Sequence, residues 1–213
     1  MLVICDCDGV LVESESLAAK AFSELLAQFG IVLSPLQCEG LFVGKTLTQC
    51  IDGLHQMYPG CIPGDFRTQL DLITDELFAN SLQSVPKVEE VLKALQLRGI
   101  PLAVASNGGW EKTKTNLART GLLNYFGAAV FSADQVPLPK PAPDVYLAAA
   151  EHLGVPAQFC WVIEDSDVGA RAGLAAGMRV LLFRPPWRNH TTPVPAGVEL
   201  VTDMQQVLQR LLS

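Results

Sequence analysis

Between residues 87 and 212, short apolar runs alternate with amphipathic stretches of helical length, and this alternation restricts the fold more than any other feature of the chain. The spacing predicts helices over 87–98, 111–120, 144–153, 166–176 and 204–212, and strands over 101–105, 128–131, 159–163 and 179–183. A further strand is expected at Leu2, Val3, Ile4 and Cys5, an apolar run too short for a helix that gives way to Asp and Gly. Strands joined through helices cannot pair as hairpins and lie parallel, covered by helices on both faces. The expectation is an α/β fold built on a doubly wound, parallel (Rossmann-like) sheet.

Residues 15–83 break the alternation, reading as helices without a strand. Leu17, Ala21 and Leu25 share one helical face, with Phe22, Leu26 and Phe29 beside it and Gly30 as the stop. Ser34-Pro35 opens a second helix, Thr46 caps a third through Leu54, and residues 65–80 form a fourth with Phe66, Leu70, Leu72, Ile73 and Leu77. The first crossover is thus expected to be expanded into a small all-helical cap domain, 15–83, on a core made of 1–14 and 84–213. Hinges are expected over 12–16 and 81–86, with the cap acting as a lid over the strand ends.

A chain of 213 residues with 49% hydrophobic content can fill one large core, or a core and a smaller one. Its net charge of −7 leaves no electrostatic footprint for nucleic acid or for an anionic membrane, so a phosphate-bearing partner needs a local site. No run approaches transmembrane length and no secretory leader is expected. Cys5, Cys7, Cys38, Cys50, Cys61 and Cys160 contain no C-x-x-C pair, which argues against zinc and a disulfide framework and for reduced thiols in a cytoplasmic protein.

The first strand ends on two acids, Asp6 and Asp8. Residues i and i+2 of an extended backbone point the same way, so both carboxylates are expected at one spot beyond the strand, where open α/β sheets bind ligands. Two such acids persist together if a cation offsets their charge or if one holds a proton. Either arrangement suits nucleophilic and acid–base chemistry, and a pair of turn-forming aspartates is the plain alternative. Other strand ends carry Ser106 and Asn107 ahead of two glycines, and Glu164 and Asp165; Lys140 sits in a proline-stiffened loop before a helix. Two acid clusters, a hydroxyl with glycine-freed amides and an ammonium amount to a site for a metal and a phosphate.

In order along the whole chain, DCDGVLVES, VASNGG, KPAPDVY and VIEDSDVGARAGLAAGM resemble the four motifs of haloacid dehalogenase superfamily phosphatases with a helical cap after the first strand. The resemblance implies that Asp6 attacks phosphorus to form an aspartyl phosphate, and that Asp8 protonates the leaving oxygen and then activates water. It implies that Ser106, Lys140 and the amides at Cys7, Asn107 and Gly108 hold the phosphoryl oxygens. Asp6, Asp165 and the carbonyl of Asp8 resemble Mg2+ ligands, with Glu164 direct or one shell out, whereas Asp167 reads as a first-turn helix acid. Dehalogenases and phosphonate hydrolases of the superfamily lack the second acid, so Asp8 favours phosphate ester chemistry.

Substrate choice is expected from the cap, where Lys45 in LFVGKTLTQ is the candidate anion contact. Trp110 is read as packing against the sheet rather than walling the pocket; His55, His152 and His190 fall off the motifs. ICDCDGVLV, QFGI and ASNGG resemble bacterial sugar phosphate phosphatases, including the 6-phosphogluconate phosphatases. Val10 also occurs in β-phosphoglucomutases, but their usual histidine on the first cap helix is missing, Ala18 and Ala19 lying there. The implied reading is a Mg2+-dependent phosphatase of a small phosphorylated sugar or sugar acid, acting as a monomer or small homo-oligomer. A sugar phosphomutase is the alternative enzyme. A phosphoacceptor signalling domain is disfavoured by the cap, and an inactive binding protein by the intact acids.

Overall fold

The computed structural model describes residues 1–42, 47–188 and 192–213. The chain forms two compact units, one made of Met1–Val12 and Gln83–Ser213 and the other of Glu13–Leu82.

The larger unit is a six-stranded parallel sheet in the order β3-β2-β1-β4-β5-β6. Its strands are β1 (Leu2–Cys5), β2 (Leu102–Ser106), β3 (Val130–Ser132), β4 (Cys160–Glu164), β5 (Arg179–Phe183) and β6 (Glu199–Val201). β1 lies in the middle and its four residues are all buried, as expected of a strand covered on both faces. The order reverses beside β1, so the carboxyl ends of β1, β2 and β4 share one rim of the sheet. One face packs Leu2, Ile4, Ala103, Val162, Val180 and Leu182 against Val145, Tyr146, Ala149, Ala170 and Ala172. Those last five residues belong to α7 (Asp144–His152) and α8 (Asp167–Ala175). Elsewhere in the unit, α5 (Val88–Gln96) packs against α9 (Met204–Leu212) and β2, and α6 (Trp110–Arg119) against β3. Leaving β1, Val85 N–H donates to the Leu11 carbonyl at 3.0 Å and Val12 bridges Ser84, which fastens the two chain passages together.

β6 is a departure from the expected pattern. Glu199 and Leu200 are not buried, and three residues carry no readable periodicity; pairing with β5 makes the strand. β3 and β4 also end one residue later than the apolar runs suggest, because Ser132 and Glu164 continue the ladders.

The smaller unit, by itself, is a bundle of α1 (Glu15–Gln28), α2 (Pro35–Phe42), α3 (Leu47–Met57) and α4 (Phe66–Ser81), with no strand among its described residues. Ala21, Phe22, Leu25, Leu26, Cys38, Leu54, Phe66 and Leu70 form its core. Ser34 and Gln37 exchange side-chain hydrogen bonds with each other's backbone N–H at the start of α2, a capping box. α3 runs three residues past the expected end at Leu54. Thr46 and Lys45 lie outside the described residues, as does His190.

Candidate active site

Asp6 follows β1 directly, and its N–H still donates to Ile163 O in β4 at 2.9 Å. The chain then reverses, with Leu11 and Val12 N–H both donating to Cys7 O and Gly9 N–H to Val12 O. Asp6 is 8% exposed, and its Oδ1 accepts from Lys140 Nζ at 2.6 Å. The same ammonium donates to Glu164 Oε1 at 2.7 Å and to Ala105 O at 2.8 Å, which uses all three of its protons. Lys140 is brought there from a loop by Asn107, whose Oδ1 accepts from Lys140 N–H at 2.9 Å and whose Nδ2 donates to Lys140 O at 3.2 Å.

Glu164 is buried, and both its oxygens accept hydrogen bonds. Besides Lys140, Oε1 accepts from the Tyr146 hydroxyl at 3.0 Å, and Oε2 accepts from Ser166 N–H at 3.0 Å and Ser166 Oγ at 2.8 Å. A Cβ on Gly169 would stand 1.6 Å from Glu164 Oε1, so the start of α8 leaves room for this carboxylate only because residue 169 has no side chain. Ser166 also caps α8, accepting from Gly169 N–H at 3.0 Å.

Oxygens of Asp6, Glu164 and Asp165 lie within 4.8 Å of one another, a set of hard donors that fits a divalent cation such as Mg2+. Asp8 is not in that carboxylate set. Its Oδ2 lies 3.8 Å from where a Gly108 Cβ would stand, and the same Cβ would stand 3.2 Å from Ser106 Oγ, which accepts from Gly108 N–H at 3.0 Å. Asp8 still adds to the negative field at Asp6.

Burial pushes the Asp6 carboxyl up to about 8; the Lys140 ammonium pulls it down, while Glu164 and Asp8 add to the rise. For Glu164 burial also raises the value, but Lys140 and the two Ser166 donors outweigh it and hold the acid below its usual range. Burial works against the Lys140 charge, yet Asp6 and Glu164 keep it protonated well above the ordinary lysine value. Burial likewise pushes the Cys7 thiol well up, which leaves it inert.

Asp6, Asp8, Ser106, Asn107, Gly108, Lys140, Glu164 and Asp165 thus come together at one rim, with Cys7 buried in the turn between the aspartates. Two further neighbours line this place, Tyr146 from inside the third motif and Arg188 from outside all four. Tyr146 sits in the first turn of α7 and reaches Glu164, and its ring lies 4.7 Å from Lys140 Nζ. Arg188 follows β5 and donates through Nη1 to Asp165 Oδ2 at 3.2 Å. Trp110 donates Nε1 to Val130 O at 3.1 Å and packs on β3. Asp167 pairs with Arg171 one turn on, at 2.8 Å, as a helix acid. His55 and His152 are exposed helix residues.

The family model of the haloacid dehalogenase-like hydrolases matches residues 1–177. The chain belongs to this family. Among the relatives of this hydrolase, the 6-phosphogluconate phosphatase of Escherichia coli strain K12 is 29% identical over 85% of this chain and 81% of its own length. A fructose-1-phosphate phosphatase of the same organism is 32% identical over 83% of this chain and 92% of its own. A solved haloacid dehalogenase family hydrolase from Deinococcus radiodurans R1, with bound phosphate and sodium, superposes with a TM-score of 0.86 at 29% identity, covering 99% of this chain and 94% of that one. The hydrolase is an enzyme whose relatives are phosphoric monoester hydrolases, and no helix among its described residues is long and apolar enough to cross a membrane.

Proposed function

We propose that this hydrolase is a Mg2+-dependent phosphatase of a small phosphorylated sugar or sugar acid, working through an aspartyl phosphate on Asp6. The observation that carries the reading is the buried contact of Asp6 with Lys140 and Glu164, with Asp165 completing a set of oxygen donors beside it. The free Oδ2 of Asp6 attacks phosphorus as the ester oxygen leaves, and water then breaks the acyl phosphate at phosphorus to return the carboxylate and release inorganic phosphate. Asp8 gives its proton to the leaving alkoxide in the first step and takes one from the attacking water in the second. Its separation from the carboxylate set, beside Ser106 and Gly108, suits a group that must change protonation rather than bind a cation.

The Ser106 hydroxyl, held by the Gly108 N–H, and the N–H groups of Cys7 and Asn107 are assigned to the phosphoryl oxygens, with the Lys140 ammonium beside Asp6 as the positive charge toward which their charge spreads in the transition state. Asp6, Asp165 and the Asp8 carbonyl would hold Mg2+, with Glu164 fixed by Tyr146 and Ser166 either at the ion or behind it. The bound ion supplies charge neutralisation between the carboxylates and the phosphate. Residues 15–83 are read as the inserted cap that selects the ester, with Lys45 as its candidate anion contact. The substrate class rests on the names of the relatives, a 6-phosphogluconate phosphatase and a fructose-1-phosphate phosphatase. A cytoplasmic monomer or small homo-oligomer acting on a soluble phosphate ester completes the reading.

The test is phosphate release with Mg2+ across 6-phosphogluconate, hexose phosphates, β-glucose 1-phosphate, glycerol phosphates and nucleotides, with Asp6→Asn as control. Turnover centred on sugar or sugar acid phosphates and abolished by the substitution is expected. Conversion of β-glucose 1-phosphate to the 6-phosphate with little phosphate release would replace the hydrolase with a mutase.

A further inference from the structure

Arg188 belongs to none of the four sequence motifs, yet its side chain is only 7% exposed and its Nη1 donates to Gly9 O at 2.7 Å as well as to Asp165 Oδ2 at 3.2 Å. The contact is built from several sides. Arg188 N–H donates to Pro185 O at 3.2 Å, and the Trp187 ring meets Phe183 of β5 edge-on at 6.4 Å. Arg184, at the end of β5, donates to Thr192 O at 2.6 Å and to Thr192 Oγ1 at 2.8 Å. Gly9 has φ +80°, and a Cβ there would stand 1.8 Å from Asp165 Oδ2 and 2.9 Å from Arg188 Nη1. Only glycine lets the three groups meet.

The consequence is electrostatic. Lys140 contacts Asp6 and Glu164, and Arg188 contacts Asp165, so each carboxylate of the acidic set touches a positive side chain of the protein itself. A guanidinium keeps its charge at any pH the protein survives, and it cannot be titrated away when another cation arrives. A divalent ion on the same carboxylates therefore meets like-charge repulsion from Arg188 and shares Asp165 with it.

We propose that Arg188 is a resident counter-ion of the acidic cluster, which stabilises Asp165 and, by competing for it, weakens divalent metal binding so that occupancy follows the free Mg2+ concentration. The inference rests on the metal reading given under Proposed function. It assigns Arg188 an opposing effect on metal affinity, not the orienting effect usual for a group that contacts a metal ligand.

The full chain and its Arg188→Gln and Arg188→Lys variants are titrated with Mg2+ alone, without substrate, by calorimetry and by the shift in thermal midpoint. Arg188→Gln is expected to bind Mg2+ about tenfold more tightly, a change of about 1.4 kcal/mol, and to melt lower than the parent in chelator. Arg188→Lys, which keeps the charge, is expected to stay close to the parent. Unchanged or weaker binding in Arg188→Gln overturns the proposal, and so does binding in Arg188→Lys as tight as in Arg188→Gln. If Arg188→Gln does not fold, Arg188→Met repeats the comparison with the apolar stem retained. A parent chain that binds no Mg2+ removes the metal reading and this inference together; a parent that binds it, with no change on substitution, removes the inference alone.

Discussion

The side-chain amide of Asn107 holds the backbone of Lys140 from both sides, accepting from its N–H at 2.9 Å and donating to its C=O at 3.2 Å. Residue 107 follows β2 and residue 140 lies in a loop 33 positions on, so this pair aims the ammonium at Asp6 and Glu164. An alanine at 107 leaves the charge of Lys140 in place but releases its backbone, and a misplacement of about 1 Å at a reacting centre costs up to about a hundredfold. Asn107→Ala is expected to lower kcat about ten- to hundredfold with little change in the unfolding midpoint. Equal losses of activity and stability would instead mark the clamp as a folding contact.

Tyr146 is fully buried and donates to a charged acceptor, Glu164 Oε1, at 3.0 Å. Phenylalanine keeps the ring beside Lys140 and deletes only the hydroxyl. Tyr146→Phe is expected to cost about 1.5–3 kcal/mol in urea unfolding, the worth of a hydrogen bond to a charged group. Activity should fall about tenfold, because Glu164 loses one of the donors that orient it.

Asp6 binds a proton in the folded chain up to about pH 8, whereas the same acid in the unfolded chain releases it near 3.8. Between those values the folded state carries the extra proton, so this group makes the protein less stable as pH rises. In chelator, the thermal midpoint of Asp6→Asn relative to the parent is expected to climb steadily from pH 5 to pH 8. Excess Mg2+ should flatten the trend by stabilising the ionised parent. A difference independent of pH would show that Asp6 is already ionised at pH 5.

Asp134 lies just past β3 and caps a helix that is not its own. Gly109, before α6, has no side chain to offer, and Asp134 Oδ2 accepts from Trp110 N–H at 3.0 Å instead. The hydrogen bond from the Ser132 hydroxyl, and then that from Trp110, lower its pKa below the ordinary 3.8. A depressed carboxylate contributes stability that is present above the unfolded value and is lost as pH falls through the folded one. Asp134→Ala is expected to cost about 1 kcal/mol at pH 7, with the difference shrinking below about pH 4 and kcat unchanged.

The sequence alone determined the alternation of strands and helices, the all-helical stretch before it and the polar groups at the strand ends. These are local signals: an apolar run of four or five residues, an amphipathic period, a glycine or serine at a helix boundary. Ser106, Glu164 and Asp165 could be read because each stands where such a run stops. Tertiary structure alone decided which partners these groups have. Tyr146 against Glu164, Arg188 against Asp165 and Gly9, and Asn107 against Lys140 join residues 18 to 179 positions apart, and no periodicity encodes a contact across that distance. β6 is decided the same way: three residues, of which only Val201 is buried, are a strand because β5 offers them a parallel edge. The place of Asp8 beside Gly108 was decided by the turn after Cys5, since alternation holds only while the backbone stays extended.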